Sequence, residues 1–143
     1  MSDSLCYFDS NVWLYRLITD LDANDAEEIR KHNIATNLTD VNNVVISTQV
    51  INEVCAVLLK KANFSENQIR EVIQEFCDGC IVVGINRSTM TSASELRSRY
   101  SFSFWDSLII TSALEAGVST LYSEDMQDGL IVSKQIEIVN PFK

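Results

Sequence analysis

The sequence predicts an α/β domain: a three-layer α/β/α arrangement around a mainly parallel central sheet of roughly five strands. Three observations carry this. Short apolar runs alternate with longer segments of helical period along all 143 residues. Only 4 glycines and 1 proline are present, too few for the tight turns of an all-β fold or for flexible linkers. The length suits one domain, 1–143, and 46% hydrophobic against 22% charged residues is ordinary for a globular core.

The elements follow in order. Leu5–Phe8 reads as the first strand, and NVWLYRLIT after it as a helix with Val12, Leu14, Tyr15 and Ile18 at helical spacing. Residues 23–38 are polar with sparse apolar points and fit an exposed helix. Val44–Ile46 is the second strand. QVINEVCAVLLKK is a helix with Val50, Val54, Val57 and Leu58 on one face and Lys60–Lys61 at the end where the macrodipole favours cations. Ser65 and Gln68 form a capping box opening the helix that runs to Gly79. Ile81–Val83 is a third strand, expected to be buried. Residues 88–99 carry a weaker helical signal. SFWDSLIITSALEAG is a helix closed by Gly117 as the residue after its C-cap. Ser119–Tyr122 and Gln135–Val139 are the fourth and fifth strands, and Pro141 stops the last.

The formal net charge is −9, from 20 acids against 11 bases, with His32 the single histidine. That balance weighs against nucleic-acid binding by phosphate contacts alone, unless bound divalent ions become the largest local charges. The opening MSDSLCYFD lacks a basic and apolar leader pattern, and no apolar run approaches the roughly 18 residues of a membrane span. A cytoplasmic protein with no membrane contact and reduced cysteines is expected. Cys77 and Cys80 form a C-x-x-C, but zinc would need a second ligand pair. A helix end followed by a strand is the simpler reading.

In a parallel sheet, ligands collect beyond the carboxyl ends of the strands. Asp9 directly follows the first strand and Asp125 the fourth, so both belong at that edge. Asp106 lies in the first turn of its helix, after Ser103, and Glu53 lies in the early turns of the helix after the second strand. Acids near helix N-termini gain about 0.3–1 kcal/mol from the macrodipole, which is the competing reading for Glu53 and Asp106. Both, however, sit in apolar stretches expected to be heavily buried, and an unpaired buried carboxylate must shift its pKa, pair or bind metal. No Lys or Arg lies within six residues of Asp9 or Glu53. Oxygen donors converging without matching bases suit a hard cation. The single histidine lies in the polar helical segment, so no Ser-His-Asp arrangement competes, and no phosphate-binding glycine loop is present.

The segments YFDSNVWLY, STQVINEV, FSFWDSLIITSALEAG, STLYSEDMQDG and IVNPF, in that order, resemble those of the PIN-domain family, and within it the VapC-type toxins of toxin–antitoxin modules. The resemblance covers nearly the whole chain. It implies an endoribonuclease dependent on Mg²⁺ or Mn²⁺, in which metal-activated water cleaves RNA phosphodiester bonds. It also implies a cognate antitoxin partner and a homodimer. Matched by motif, it assigns Asp9, Glu53, Asp106 and Asp125 as metal-holding catalytic acids. Asn11 and Ser123 fall where polar groups orient the carboxylates, although a helix cap or turn bond suits them equally.

Many relatives carry His where this chain has Asp128, which is read as facing solvent; a fifth acid at the site is the alternative. Glu124 is expected to point away. Arg87, Arg97 and Arg99 are the candidate phosphate contacts, against a plain surface role, which is preferred for Lys60 and Lys61. Trp13 is assigned to the core rather than, with Tyr15, to a partner groove. A PIN-like module kept for protein contacts, without catalysis, is the second reading, motivated by the charge of −9.

Overall fold

A computed structural model describes residues 4–143, so the reading of Met1–Asp3 as free of a leader lies outside the described residues. Strands β1 (Cys6–Phe8), β2 (Val44–Ser47), β3 (Ile81–Val83), β4 (Thr120–Tyr122), β5 (Ile131–Val132) and β6 (Ile136–Val139) form one sheet. Helices α1 (Ser10–Leu17), α2 (Ala26–Leu38), α3 (Thr48–Lys61), α4 (Glu66–Gly79), α5 (Arg87–Arg99) and α6 (Phe104–Glu115) connect them.

The sheet order is β3-β2-β1-β4-β6-β5. All neighbours pair in parallel except β5, which is antiparallel to β6. The chain therefore steps outward from β1 through β2 to β3, then returns across β1 to lay down β4. Right-handed crossovers require the connecting helices to lie on opposite faces before and after that reversal. The packing agrees: α1 packs on α2 and α3, α3 on α4, and α5 on α6. The reversal between β1 and β4 makes their carboxyl ends the switch point of the sheet.

The helix starts are fixed by side-chain caps. Asp9 caps α1, Ser47 caps α3, Ser103 caps α6, and Ser65 with Gln68 makes the expected capping box of α4. A second capping box, Asn86 with Thr89, gives α5 a firmer start than its weak periodicity indicates. Gly117 adopts a left-handed φ of 78° just past α6, a conformation that costs a glycine little.

Two expectations need correction. The sheet has a sixth strand, β5, two residues long. And β3 is not buried: it is the sheet edge, with Ile81 and Val82 exposed. The C-x-x-C is the end of α4, with Cys77 exposed and the half-buried Cys80 thiol pushed up to about 11 by burial.

The core is centred on Tyr7, Phe8, Ile46, Leu58, Ile110, Leu121 and Ile138, all essentially inaccessible. Trp13 joins it, edge-on to Phe8 and Phe76. Within this core the Tyr7 hydroxyl donates to Ser47 Oγ at 2.8 Å and lies 3.2 Å from Ser112 Oγ. Tyr7 belongs to β1, Ser47 caps α3, and Ser112 sits in α6. One buried hydroxyl thus ties together the three elements that carry Asp9, Glu53 and Asp106. Replacing Tyr7 with Phe leaves the ring packing but removes these bonds, and is expected to lower the unfolding free energy by about 1–2 kcal/mol. Ile110→Ala, which opens a cavity, is expected to cost about 2–5 kcal/mol. Urea unfolding of both variants measures the difference.

Candidate active site

Asp9 is the most enclosed of the four acids, at 7% exposure. Its backbone N–H donates to Tyr122 O in β4 at 2.9 Å, locking the end of β1 to its neighbour. Its Oδ1 accepts from the Ser10 N–H at 2.8 Å, and its Oδ2 accepts from Ser123 Oγ at 2.8 Å. Ser123 is fully buried, and its hydroxyl also accepts from the Asp125 and Met126 N–H groups at 3.3 Å. It therefore fixes both Asp9 and the backbone of the Asp125 turn.

Glu53 is half-buried on α3. It accepts from Ser10 Oγ at 2.6 Å and from Gln49 Nε2, one turn earlier, at 3.1 Å. Asp125 is exposed and accepts from Asn11 Nδ2 at 3.1 Å, while Asn11 Oδ1 accepts from the Glu124 N–H at 3.3 Å. Asp106 is half-buried in the first turn of α6, and its N–H is capped by Ser103 Oγ at 3.1 Å. Asn11 and Ser123 thus each bond a carboxylate. Ser10 and Gln49 do so too, although a single hydroxyl and a single amide carry no pattern that marks them in the sequence.

The acids sense one another. Burial pushes the Asp9 carboxyl up to about 6 from an ordinary 3.8; its two hydrogen bonds oppose the shift, and Asp106 and Glu53 add to it. Asp106 is also raised, first by burial and then by Asp125 and Glu53, against the pull of Ser103. The ion pairs among the described residues are Arg30–Glu27, Lys31–Glu124 and Lys143–Asp128, so none of the four acids is neutralised by a base there.

Among the described residues, no three Asp, Glu, His or Cys side chains stand close enough to hold an ion in their present rotamers. Like charges repel, and three of the four carboxylates are turned onto neighbouring hydroxyl, amide or backbone donors. The donor chemistry, oxygen only and unpaired, nevertheless fits a hard divalent cation.

The remaining candidates separate. Glu124 points to α1 and α2, accepting from Tyr15 Oη at 2.7 Å and pairing with Lys31 at 2.6 Å. Asp128 does more than face solvent: it accepts from the Asn140 N–H at 2.7 Å and pairs with Lys143 at 3.2 Å, pinning the chain end. Tyr15 lines a groove of about 450 Å³ between α1 and α2. Arg87 and Arg99 are exposed at the two ends of α5, whereas Arg97 lines a groove of about 870 Å³ beside Glu53. Phe104 and Trp105, expected in the core, are 55% and 63% exposed on that groove.

The fold and the site together define a class: an α/β protein with a mostly parallel sheet whose order reverses at β1, and with four acids near that reversal that no base pairs among the described residues. The family model for the PIN domain matches residues 6–127, and the chain belongs to the PIN-domain family. No curated protein matches the sequence. Among solved structures, the chain is similar to one described as a toxin–antitoxin complex from Klebsiella pneumoniae, with TM-score 0.68 and 16% identity over 95% of this chain and 97% of that one. It is also similar to Mycobacterium tuberculosis VapC20, described as a Sarcin–Ricin loop cleaving toxin, with TM-score 0.62 and 17% identity over 81% and 86%. A third similar structure is VapBC2 from Rickettsia felis, bound to a DNA fragment from its promoter, with TM-score 0.63 and 17% identity over 95% and 99%.

Because the Asp9 pKa is higher in the folded protein than the ordinary value, the folded state holds this proton more tightly. Its contribution to stability is complete below about pH 4 and is lost as pH rises through about 6. In EDTA, Asp9→Asn is therefore expected to gain stability relative to the parent chain between about pH 4 and about pH 7, by up to about 3 kcal/mol. Thermal melts of both chains across that range check the sign.

Proposed function

We propose that this chain is a divalent-metal-dependent endoribonuclease, the toxin of a toxin–antitoxin pair, with Mg²⁺ or Mn²⁺ as its cofactor. The observation that carries this is the gathering of Asp9, Glu53, Asp106 and Asp125 around the β1/β4 reversal of a PIN domain with no base to neutralise them. The similar structures described as toxins or toxin–antitoxin complexes support the biological setting.

In this reading the four acids would hold the ion. A bound divalent cation supplies Lewis-acid stabilisation of phosphate oxygens and makes water more acidic. The chain's own groups position the carboxylates. Asp9 is held by two hydrogen bonds in a buried setting and is the fixed point of the cluster. Ser10 holds Glu53 toward it, Ser123 links it to the Asp125 turn, and Asn11 aims Asp125. Asp106 sits in the first turn of α6 beside Ser103, which caps that turn. Arg97 is the candidate phosphate contact, since it lies on the groove beside Glu53.

The partners follow from charge. An acidic chain of −9 suits a basic antitoxin segment. The α1–α2 groove combines apolar Leu14, Ile18 and Leu21 with Asp25 and Glu27, a lining that receives a basic, partly apolar peptide. A homodimer and a cytoplasmic location belong to the same reading; no helix among the described residues is long and apolar enough to cross a membrane. A protein-binding module without catalysis is the second reading, favoured by the net charge and by the separated rotamers of the acids.

Purified protein is expected to cleave RNA with Mg²⁺ or Mn²⁺ and to stop on addition of EDTA. Asp9→Asn is expected to lose at least about 100-fold in rate, and Ser123→Ala or Asn11→Ala about 10–100-fold. Cleavage that survives both EDTA and Asp9→Asn overturns the metal mechanism. A chain that neither cleaves RNA nor binds Mn²⁺ at millimolar concentration belongs to the second reading.

A further inference from the structure

The groove beside Glu53 has an unusual lining for a protein that handles RNA. It is formed by the first turns of α3, by α5 and by the start of α6. Its one cation is Arg97 and its one acid is Glu53; its other polar groups are the neutral side chains of Thr48, Gln49 and Asn52. Its walls are apolar: Met90, Phe104 and Trp105 are each more than half exposed.

These groups are ordered with respect to one another. The Arg97 guanidinium lies 4.4 Å from the Phe104 ring centroid and donates to Ser107 Oγ at 2.6 Å. One side of Phe104 is therefore covered by a fixed cation. Phe104 in turn meets Trp105 edge-on, with centroids 5.3 Å apart and planes at 77°. The indole is braced by this contact yet is 63% exposed. Trp105 also directly precedes Asp106, so the platform adjoins the acidic cluster along the chain itself.

Charge decides what such a surface receives. Single-stranded nucleic acid is bound by two means: cations along the backbone, and aromatic faces under the bases. A chain of net charge −9 with a single arginine on this groove has little of the first. A planar base stacked on an indole needs no phosphate contact and is worth about 1–3 kcal/mol. The neutral amides and hydroxyl that line the same groove, on Gln49, Asn52 and Thr48, can hydrogen-bond base edges or ribose without adding charge.

Resting on the nuclease reading of the neighbouring acids, we propose that Trp105, braced by Phe104 and Arg97, is a base-stacking platform that holds an unpaired nucleotide of single-stranded RNA beside the acidic cluster. The substrate it selects is an unpaired segment, because a base inside a duplex has no face to offer the indole. Binding through stacking also has a shallow salt dependence. With Arg97 as the main phosphate contact, the slope of log affinity against log salt is expected to be near −1, since each single-strand phosphate contributes about −0.7.

The test has three readouts. Titration of the unmodified chain with oligoadenylate in the presence of Ca²⁺ is expected to quench tryptophan emission, and the quench to vanish in Trp105→Phe. Trp13, buried in the core, is not expected to respond. In steady-state cleavage of a short single-stranded RNA, Trp105→Ala is expected to raise KM about tenfold more than it lowers kcat, with Trp105→Phe restoring most of the loss. Sedimentation of the same variants reports the oligomeric state.

Absence of quenching overturns the platform, as does an unchanged KM in Trp105→Ala while cleavage proceeds; the nuclease reading then stands alone. A KM loss that tracks conversion of a dimer to a monomer assigns the aromatic surface to a second copy of the chain and also overturns it. Quenching by oligoadenylate in a chain that cleaves nothing supports base binding and removes the nuclease reading instead.

Discussion

The position of β1 constrains everything else. It pairs in parallel with β2 on one side and β4 on the other, and these neighbours lie about half the chain apart in sequence. Parallel pairing puts all three carboxyl ends at one edge. The strand order reverses across that strand, which makes its carboxyl end the switch point where parallel sheets collect ligands. Asp9 closes β1, Ser123 and Asp125 follow β4, and Ser47 ends β2 and opens α3. The sheet thereby brings the segments that carry the four acids to one edge, near enough for their charges to influence one another.

Crowding negative charge at one place carries an energetic cost, and the structure offsets it in two ways. The N-termini of α1 and α6 begin at the site, presenting the positive ends of their dipoles and unpaired N–H groups. Ser10 N–H and Ser123 Oγ also donate directly to Asp9. Burial still dominates, and the Asp9 carboxyl rises to about 6. An arrangement that buries one acid near three others, none of them in an ion pair with a lysine or arginine among the described residues, is costly as bare architecture. In the proposed reading, a divalent cation would relieve that cost by giving the carboxylates an opposite charge to face. The hydroxyl and amide partners preset the backbone and anchor points, leaving the final convergence to side-chain rotation.

Much of this was legible in the sequence. The five parallel strands announce themselves as short apolar runs, and the acids Asp9 and Asp125 that follow two of them stand out at the strand ends. The sixth strand was not legible. Val132 and Ile136 pair across a turn whose central residues, Ser133 and Lys134, are both left-handed. That turn normally selects Asn and Gly, so its usual signature is missing here. The exposure of Phe104 and Trp105 was hidden for a different reason. Helix α6 is apolar on nearly every face, and a run without periodicity does not reveal which side meets solvent. The same holds at β3, where an edge strand reads like a central one because both are short and β-branched. Ser10 shows the limit at the site itself: its importance lies in what it touches, and contact between residues 43 positions apart leaves no local mark.

The central claim concerns a place, and it is tested most directly by locating an ion there. Crystals of the full chain soaked in Mn²⁺ and measured for anomalous scattering are expected to show a manganese peak between the carboxylates of Asp9, Glu53, Asp106 and Asp125, with at least two of them rotated onto it. A saturating soak that leaves this position without a peak, or that puts manganese only on acids elsewhere on the surface, contradicts the account.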